Sequence, residues 1–236
     1  MIHEEHFSRT DIDAIDENIA QNYFTPVLED VLNQIADIKN ICDVGCGNGI
    51  FTAHIKQKMS CKLVGVDGSK YALEKAAEFN FDELHHIHDF SSDTLPFDDG
   101  IFDLVINKDV LEHLVHPEHL VSEIARITRR GGYALIHVPN HFPFVGRLKL
   151  LFRNTIDPFH YFPESRRWNF PHIRFFNHKD FLALMFTEGL KPVMNLCCHF
   201  PSFPKIRRLM SKSLKTQLAR QNPDLFAEGF TYLFRR

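Results

Sequence analysis

No stretch of this chain is long and apolar enough to span a bilayer as a helix, which excludes a helical membrane protein. The first residues, MIHEEHFSRTDIDAID, lack the basic start and apolar run of a secretory leader. A cytoplasmic address is therefore expected. The five cysteines (Cys42, Cys46, Cys61, Cys197 and Cys198) contain no CxxC pair. That removes the commonest zinc and dithiol signatures and leaves buried free thiols in a reducing compartment. Repeats and low-complexity tracts are missing. Net charge is only −3, and no aromatic–basic module appears, so nucleic acid is not an expected partner.

What is present suits one α/β domain. The length of 236 residues with 44% hydrophobic and 24% charged residues allows a full core. Charge is uneven. Glu4, Glu5, Asp11, Asp13, Asp16, Glu17, Glu29, Asp30 and Asp37 make the start acidic, whereas Arg147, Lys149, Arg153, Arg166, Arg167 and Arg174 make a later stretch basic. A solvated surface explains this; a basic rim that draws an anionic acceptor or an anionic membrane is the sharper alternative.

Hydrophobic periodicity alternates between strand-like and helix-like runs. Strands are expected near 41–44, 62–66, 85–88, 102–106, 133–138, 190–196 and 230–234. Helices are expected near 26–38, 51–58, 71–79, 117–127, 178–186 and 205–220. Pro117 and Glu118 mark a helix start, and Gly131-Gly132 its expected stop. Alternation of this kind predicts a mostly parallel sheet with helices on both faces, and ligands beyond the strands' carboxyl ends. The single domain over 1–236 divides into N-terminal helices (1–39), a ligand-binding core (40–138), a lid or acceptor-side insertion (139–176) and a C-terminal part (177–236). The insertion holds Phe142, Phe144, Phe152, Phe159, Tyr161, Phe162, Trp168 and Phe170 with little clear period.

The chemical signal is Asp43-Val44-Gly45-Cys46-Gly47-Asn48-Gly49, directly after a strand. Glycines there let the backbone turn tightly and approach a ligand. Asp67 ends the next strand about twenty residues on, where a carboxylate can accept from both ribose hydroxyls. Its alternative is a helix N-cap, a role open equally to Ser69. Asp89-Phe90 follows the third strand, placed for an adenine amino group and ring, or for a turn. A dinucleotide fingerprint reads G-x-G-x-x-G, but Ile50 stands where the third glycine belongs.

Together DVGCGNG, VGVD, the acidic residue after the third strand, FDLVINKDVLEHL and the RITRRGG turn resemble a class I S-adenosylmethionine-dependent methyltransferase over Ile41 to Val138. HIRFFNHKDFLALMFTEGL from His172 is similar to the later part of many members. PNHFPFVGRLKLLFRN from Pro139 resembles MetW-like proteins of methionine biosynthesis in particular, and some bacterial small-molecule and glycan methyltransferases. The resemblance implies a three-layer Rossmann-like fold with seven strands, the last antiparallel, and S-adenosylmethionine as cofactor. It implies that Asp43 organises the loop, Gly45 and Gly47 line the methionine portion, Asp67 holds the ribose and Asp89 with Phe90 the adenine. Asn107 would face the methionine end or the reacting centre, and Cys46, Gly49, Gly68 and Ser69 complete the set. Tyr23 or Phe24 covers the cofactor or is an ordinary core aromatic.

A hydroxyl, thiol or protonated amine acceptor needs a base, and histidine is tuned for that near neutrality. His113, His141 and His172 are the candidates, each against the alternative of a packing histidine. His113, His116 and His119 are spaced by three, but Pro117 starts a helix between them, so no metal site is expected. The expected partner is a small-molecule acceptor, anionic or lipid-linked, with membrane contact through 142–152 as an option. Rival functions are a non-catalytic module that partners another enzyme, as MetW-like proteins do, and a nicotinamide oxidoreductase.

Overall fold

A computed structural model describes residues 25–153, 172–197 and 210–236. Its strands are β1 (Asn40–Val44), β2 (Lys62–Asp67), β3 (Glu83–His86), β4 (Phe102–Lys108), β5 (Thr128–Pro139), β6 (Lys191–Asn195) and β7 (Gly229–Arg235). They form one sheet in the order β3-β2-β1-β4-β5-β7-β6. β1 to β5 pair in parallel, and β7 runs antiparallel between β5 and β6. The strand order reverses between β1 and β4, which opens a crevice at their carboxyl ends.

The helices are α1 (Thr25–Gln34), α2 (Ile55–Lys58), α3 (Lys70–Ala76), α4 (Pro117–Ile127), α5 (Phe144–Arg153), α6 (His178–Thr187), α7 (Lys212–Gln221) and α8 (Pro223–Phe226). Successive strand residues feed opposite cores, as the pleat requires. Ile41, Leu104, Ile106, Leu135 and Leu233 pack with Leu28 and Val31 of α1. Cys42, Val44, Val105, Ala134 and Ile136 join Ile124 of α4 and Phe181 of α6. Phe181, Phe230 and Phe234 are fully buried, with ring centroids of 6.0 Å and 5.9 Å from Phe181 to the other two. Each such burial stabilises by roughly 1.5–3 kcal/mol.

Several boundaries differ from the sequence expectation. α1 stops at Gln34 because Asp37 takes φ 57°, which no helix continues through. The expected helix over 51–58 shrinks to α2, since residues 50–54 are turns bonded back to the glycine loop through Thr52 N and Ala53 N on Gly49 O. The third strand is 83–86 rather than 85–88. Gly131-Gly132 does not stop α4. The helix ends at Ile127, β5 begins at Thr128, and the glycines sit in an irregularity where Thr128 and Tyr133 pair with Phe102 and Leu104. The start of the aperiodic insertion is helical: α5 carries Phe144, Leu148, Leu151 and Phe152 at helical spacing. The rest of the insertion through Pro171, Tyr23, Phe24 and the basic residues 205–209 lie outside the described residues.

Candidate active site

β1 ends at Val44 and the chain turns at Gly45, where φ is 80°. Gly45 N and Cys46 N both donate to Val66 O, at 2.7 Å and 3.0 Å, and so moor the loop to β2. A Cβ on Gly45 would lie 2.2 Å from Cγ2 of Val110. Gly49, at φ 81°, has a different neighbour: its Cβ would meet the Phe81 ring at 2.6 Å. Gly49 is thus required for packing behind the loop. Cys46 also turns inward, 4% exposed, with its Sγ near Gly65.

Asp67 clamps the loop. Its Oδ2 accepts from Gly47 N and its Oδ1 from Ser69 N, both at 2.8 Å. The N-cap of α3 is Ser69, whose Oγ accepts from Ala72 N at 3.2 Å. The choice between Asp67 and Ser69 as cap is thereby settled for the serine. Asp43, 4% exposed, accepts from Thr52 Oγ1 at 2.6 Å. Burial pushes its carboxyl up to about 7; the Thr52 hydrogen bond opposes this and the charge of Asp67 adds to it. A carboxyl raised on folding binds its proton more tightly folded than unfolded. It therefore favours the fold at low pH, and that contribution is lost as pH climbs from the ordinary carboxylate range through about 7. Asp43→Asn should gain melting temperature relative to wild type between about pH 5 and about pH 8. Parallel melts across that range check it; a constant difference rejects the buried proton.

The cleft beyond the loop is lined by Gly45, Asp67, Gly68, Phe90, Asp109, Val110, His113 and Leu114. It encloses about 390 Å³, its open mouth included. Of the expected cofactor residues, Gly45, Asp67, Gly68 and Phe90 line it. Asp89 shapes the adjoining turn, its Oδ1 accepting from Ser91 N at 2.8 Å. Asn107 is not at the surface of the cleft. It is fully buried, and its Nδ2 donates to Val44 O at 2.8 Å, bracing the end of β1.

The sequence reading missed Asp109, Val110 and Leu114. Asp109 has φ 55°, unusual for a side chain other than glycine, and such outliers gather at functional sites. Its carboxylate meets Lys108 Nζ and, at 3.2 Å, His137 Nε2; His137 Nδ1 is 2.7 Å from Thr231 Oγ1. Partial desolvation raises the Asp109 carboxyl, but Lys108 and His137 outweigh it and hold the group ionised, well below the usual range.

The three candidate histidines come together although 28 to 59 residues apart in sequence. His141 Nε2 lies 2.9 Å from His172 Nδ1, and the His113 ring stands edge-on to His172 with centroids 4.9 Å apart. Two features bring them in. Asn140 Nδ2 donates to Pro223 O, Asp224 O and Ala227 O at 3.1, 3.1 and 2.8 Å and fixes the turn after β5. Ile173 N and Arg174 N donate to Glu112 O at 2.8 and 3.0 Å, laying the 172–176 segment along the 3₁₀ turn Leu111–His113. Glu112 is 1% exposed, and burial followed by the charge of Asp109 raises its carboxyl well above the usual range. His116 and His119 stay apart: His116 Nδ1 faces Glu118 at 3.0 Å and His119 Nε2 faces Asp93 O at 3.0 Å.

Residues 42–136 match the family model described as a methyltransferase domain. A sarcosine/dimethylglycine N-methyltransferase of Halorhodospira halochloris is 29% identical over 103 residues, covering 42% of this chain and 37% of its own. The chain spans less than half the length of the curated relatives it matches. Among solved structures, a methyltransferase in complex with its Haloferax volcanii Trm112 activator has a TM-score of 0.62 at 18% identity, covering 99% of this chain and 96% of that one. Phosphoethanolamine N-methyltransferase 2 of Haemonchus contortus, solved with S-adenosyl-L-methionine, has a TM-score of 0.63 at 16% identity over 100% of this chain and 59% of its own. Sheet order, glycine loop and family match agree: residues 42–136 of this chain are a methyltransferase domain, set in the class I, S-adenosylmethionine-dependent methyltransferase fold.

Proposed function

We propose that the chain transfers the methyl group of S-adenosylmethionine to a small-molecule acceptor seated against His113. One observation carries this: a single cleft runs from Gly45, Asp67, Gly68 and Phe90 at one end to His113 at the other. When bound, S-adenosylmethionine supplies an electrophilic sulfonium methyl. The side chains then need only align the acceptor and exclude water, for which Phe90, Val110 and Leu114 supply apolar walls. Each oxygen of Asp67 keeps lone-pair capacity beyond the N–H it already accepts, so a ribose diol fits there. The acceptor loses its proton at the His113 end of the cleft.

Phe142 and Phe175, 42% and 47% exposed, flank His141 with centroids at 6.5 Å and 5.2 Å. Exposed rings beside the histidine cluster suit an acceptor with an aromatic or lipid-linked body. α5 extends the apolar face through Leu151 and Phe152, beside Arg147 and Lys149, which supports contact with an anionic membrane surface. The neighbour solved with its activator supports a protein partner.

Thermal shift tests the cofactor: S-adenosylhomocysteine at a hundred times its Kd stabilises by about 2.7 kcal/mol, roughly 5–10 °C for a chain of this size, and NAD gives no shift. A shift with NAD alone would overturn the reading. For the acceptor end, His113→Asn should keep the S-adenosylhomocysteine shift and lose about 100-fold or more in transfer from labelled S-adenosylmethionine to metabolite extracts. Undiminished transfer removes His113 from the chemistry.

A further inference from the structure

The histidine cluster includes a fourth group that proton transfer alone leaves unexplained. Glu112 is 1% exposed, and its Oε2 has no hydrogen-bond partner among the described residues. An unsatisfied buried carboxyl oxygen costs free energy unless something fills its coordination. Glu112, His113 and His172 each offer one ligand atom, all within 4.8 Å of one another, and His113 lines the cleft. We propose that these three residues bind a divalent transition-metal ion, zinc or a congener, at the acceptor end of the cleft. The position rests on the cleft being the methyl-transfer site.

The donor set decides the kind of cation. Two imidazole nitrogens and one carboxylate oxygen suit zinc, cobalt or ferrous iron, whereas magnesium and calcium prefer all-oxygen sites. Bond lengths of about 2.0–2.2 Å put tetrahedral ligands roughly 3.3 Å apart, so the three side chains close by an ångström or so around the ion. Three protein ligands leave a fourth position open to the cleft, the arrangement of catalytic zinc.

His141 supplies the outer support. His172 Nδ1 faces His141 Nε2 at 2.9 Å, so Nε2 is the nitrogen that would turn to the ion in the loaded site. In that state His172 Nδ1–H donates to His141, the usual hydrogen bond behind a ligating imidazole. The longer bond from Phe176 N to His141 Nδ1, 3.3 Å, is the one relinquished. The backbone bonds from Ile173 N and Arg174 N to Glu112 O hold His172 to the turn that carries the other two ligands.

The ion gives the cluster a definite role with a hydroxylated acceptor. The acceptor's oxygen occupies the open position, and its O–H proton leaves to water at the mouth of the cleft. The oxygen lone pair then forms the O–CH₃ bond as the S–CH₃ electron pair passes to sulfur, leaving a methyl ether and S-adenosylhomocysteine. This departs from the sequence expectation of no metal, because His172, 59 residues beyond His113, was not readable as a neighbour of Glu112 and His113.

The full chain, stripped with chelator and titrated with Co²⁺, should take up one ion per chain with visible d–d absorption of a low-coordinate site, displaced by Zn²⁺. Glu112→Gln and His172→Gln should each weaken uptake by at least about 100-fold, and His141→Ala by about 10- to 100-fold. His116→Gln should change nothing. Variants that still show the S-adenosylhomocysteine shift are folded, which separates lost ligation from lost structure. Wild type that binds S-adenosylhomocysteine but takes up no Co²⁺ overturns the metal and leaves the methyltransferase reading standing. Uptake of Co²⁺ without any cofactor shift supports the metal site and sinks the other. Unaltered uptake in both ligand variants also overturns the assignment.

Discussion

Asp67→Ala is expected to weaken S-adenosylhomocysteine binding by about two to three orders of magnitude. A ribose diol donating to a carboxylate makes two charge-assisted hydrogen bonds of roughly 1.5–3 kcal/mol each, and 1.4 kcal/mol is a factor of ten. The same carboxylate holds Gly47 N and Ser69 N, so the variant also loosens the loop that must meet the ligand. Each stranded N–H costs about 1–3 kcal/mol where water cannot reach it, so the melting temperature falls as well. The two effects separate by calorimetry at a temperature where the variant is folded. Asp67→Asn discriminates further: its one carbonyl oxygen keeps one acceptor and loses the charge, so binding falls between wild type and alanine. A folded alanine variant whose Kd stays within roughly threefold of wild type would place the ribose elsewhere.

How far the sequence reached depends on how local each determinant is. The strands were legible because a sheet covered on both faces needs near-continuous apolar runs, as in Phe102–Ile106 and Tyr133–Val138. Pro117 at a helix start was legible for an equally local reason. The antiparallel β7 followed only from the family resemblance, and the cap stayed open between Asp67 and Ser69. Gly131-Gly132 was misread because glycine marks both a helix stop and a strand irregularity, and only pairing with β4 decides between them. Asn107 sits at a strand end near the cleft, but its rotamer follows the bond to Val44 O, which no spacing reveals. Asp109 carried one faint cue, an acidic residue directly after a strand. Its left-handed φ and its contact with His137, 28 residues on, are not visible in local spacing. His113 and His141 were legible from their places after the fourth and fifth strands, and His172 from its place before a helix. Their union was not, because it depends on Asn140 reaching the α8 segment and on residues 172–176 docking to Glu112.

Gly45→Ala should cost the fold about 2–5 kcal/mol and reduce cofactor affinity together. Two penalties are distinct in origin. A side chain at φ 80° loses roughly 1–2 kcal/mol against the right-handed regions. The new methyl, 2.2 Å from Val110 Cγ2, then forces an overpacked contact of about 1–3 kcal/mol. Val110 itself lines the cleft, so its displacement narrows the space beside Asp67 and Phe90. Only the second penalty can be relieved from outside. Val110→Ala removes the opposing Cγ atoms, so the double variant Gly45→Ala/Val110→Ala should be more stable than the sum of the single losses by about 1–2 kcal/mol, while the backbone strain persists. Urea unfolding of the four proteins gives this coupling directly. Strict additivity would mean the loop moves off Val110 when loaded, so that the close approach of backbone to the cleft is not what demands glycine here.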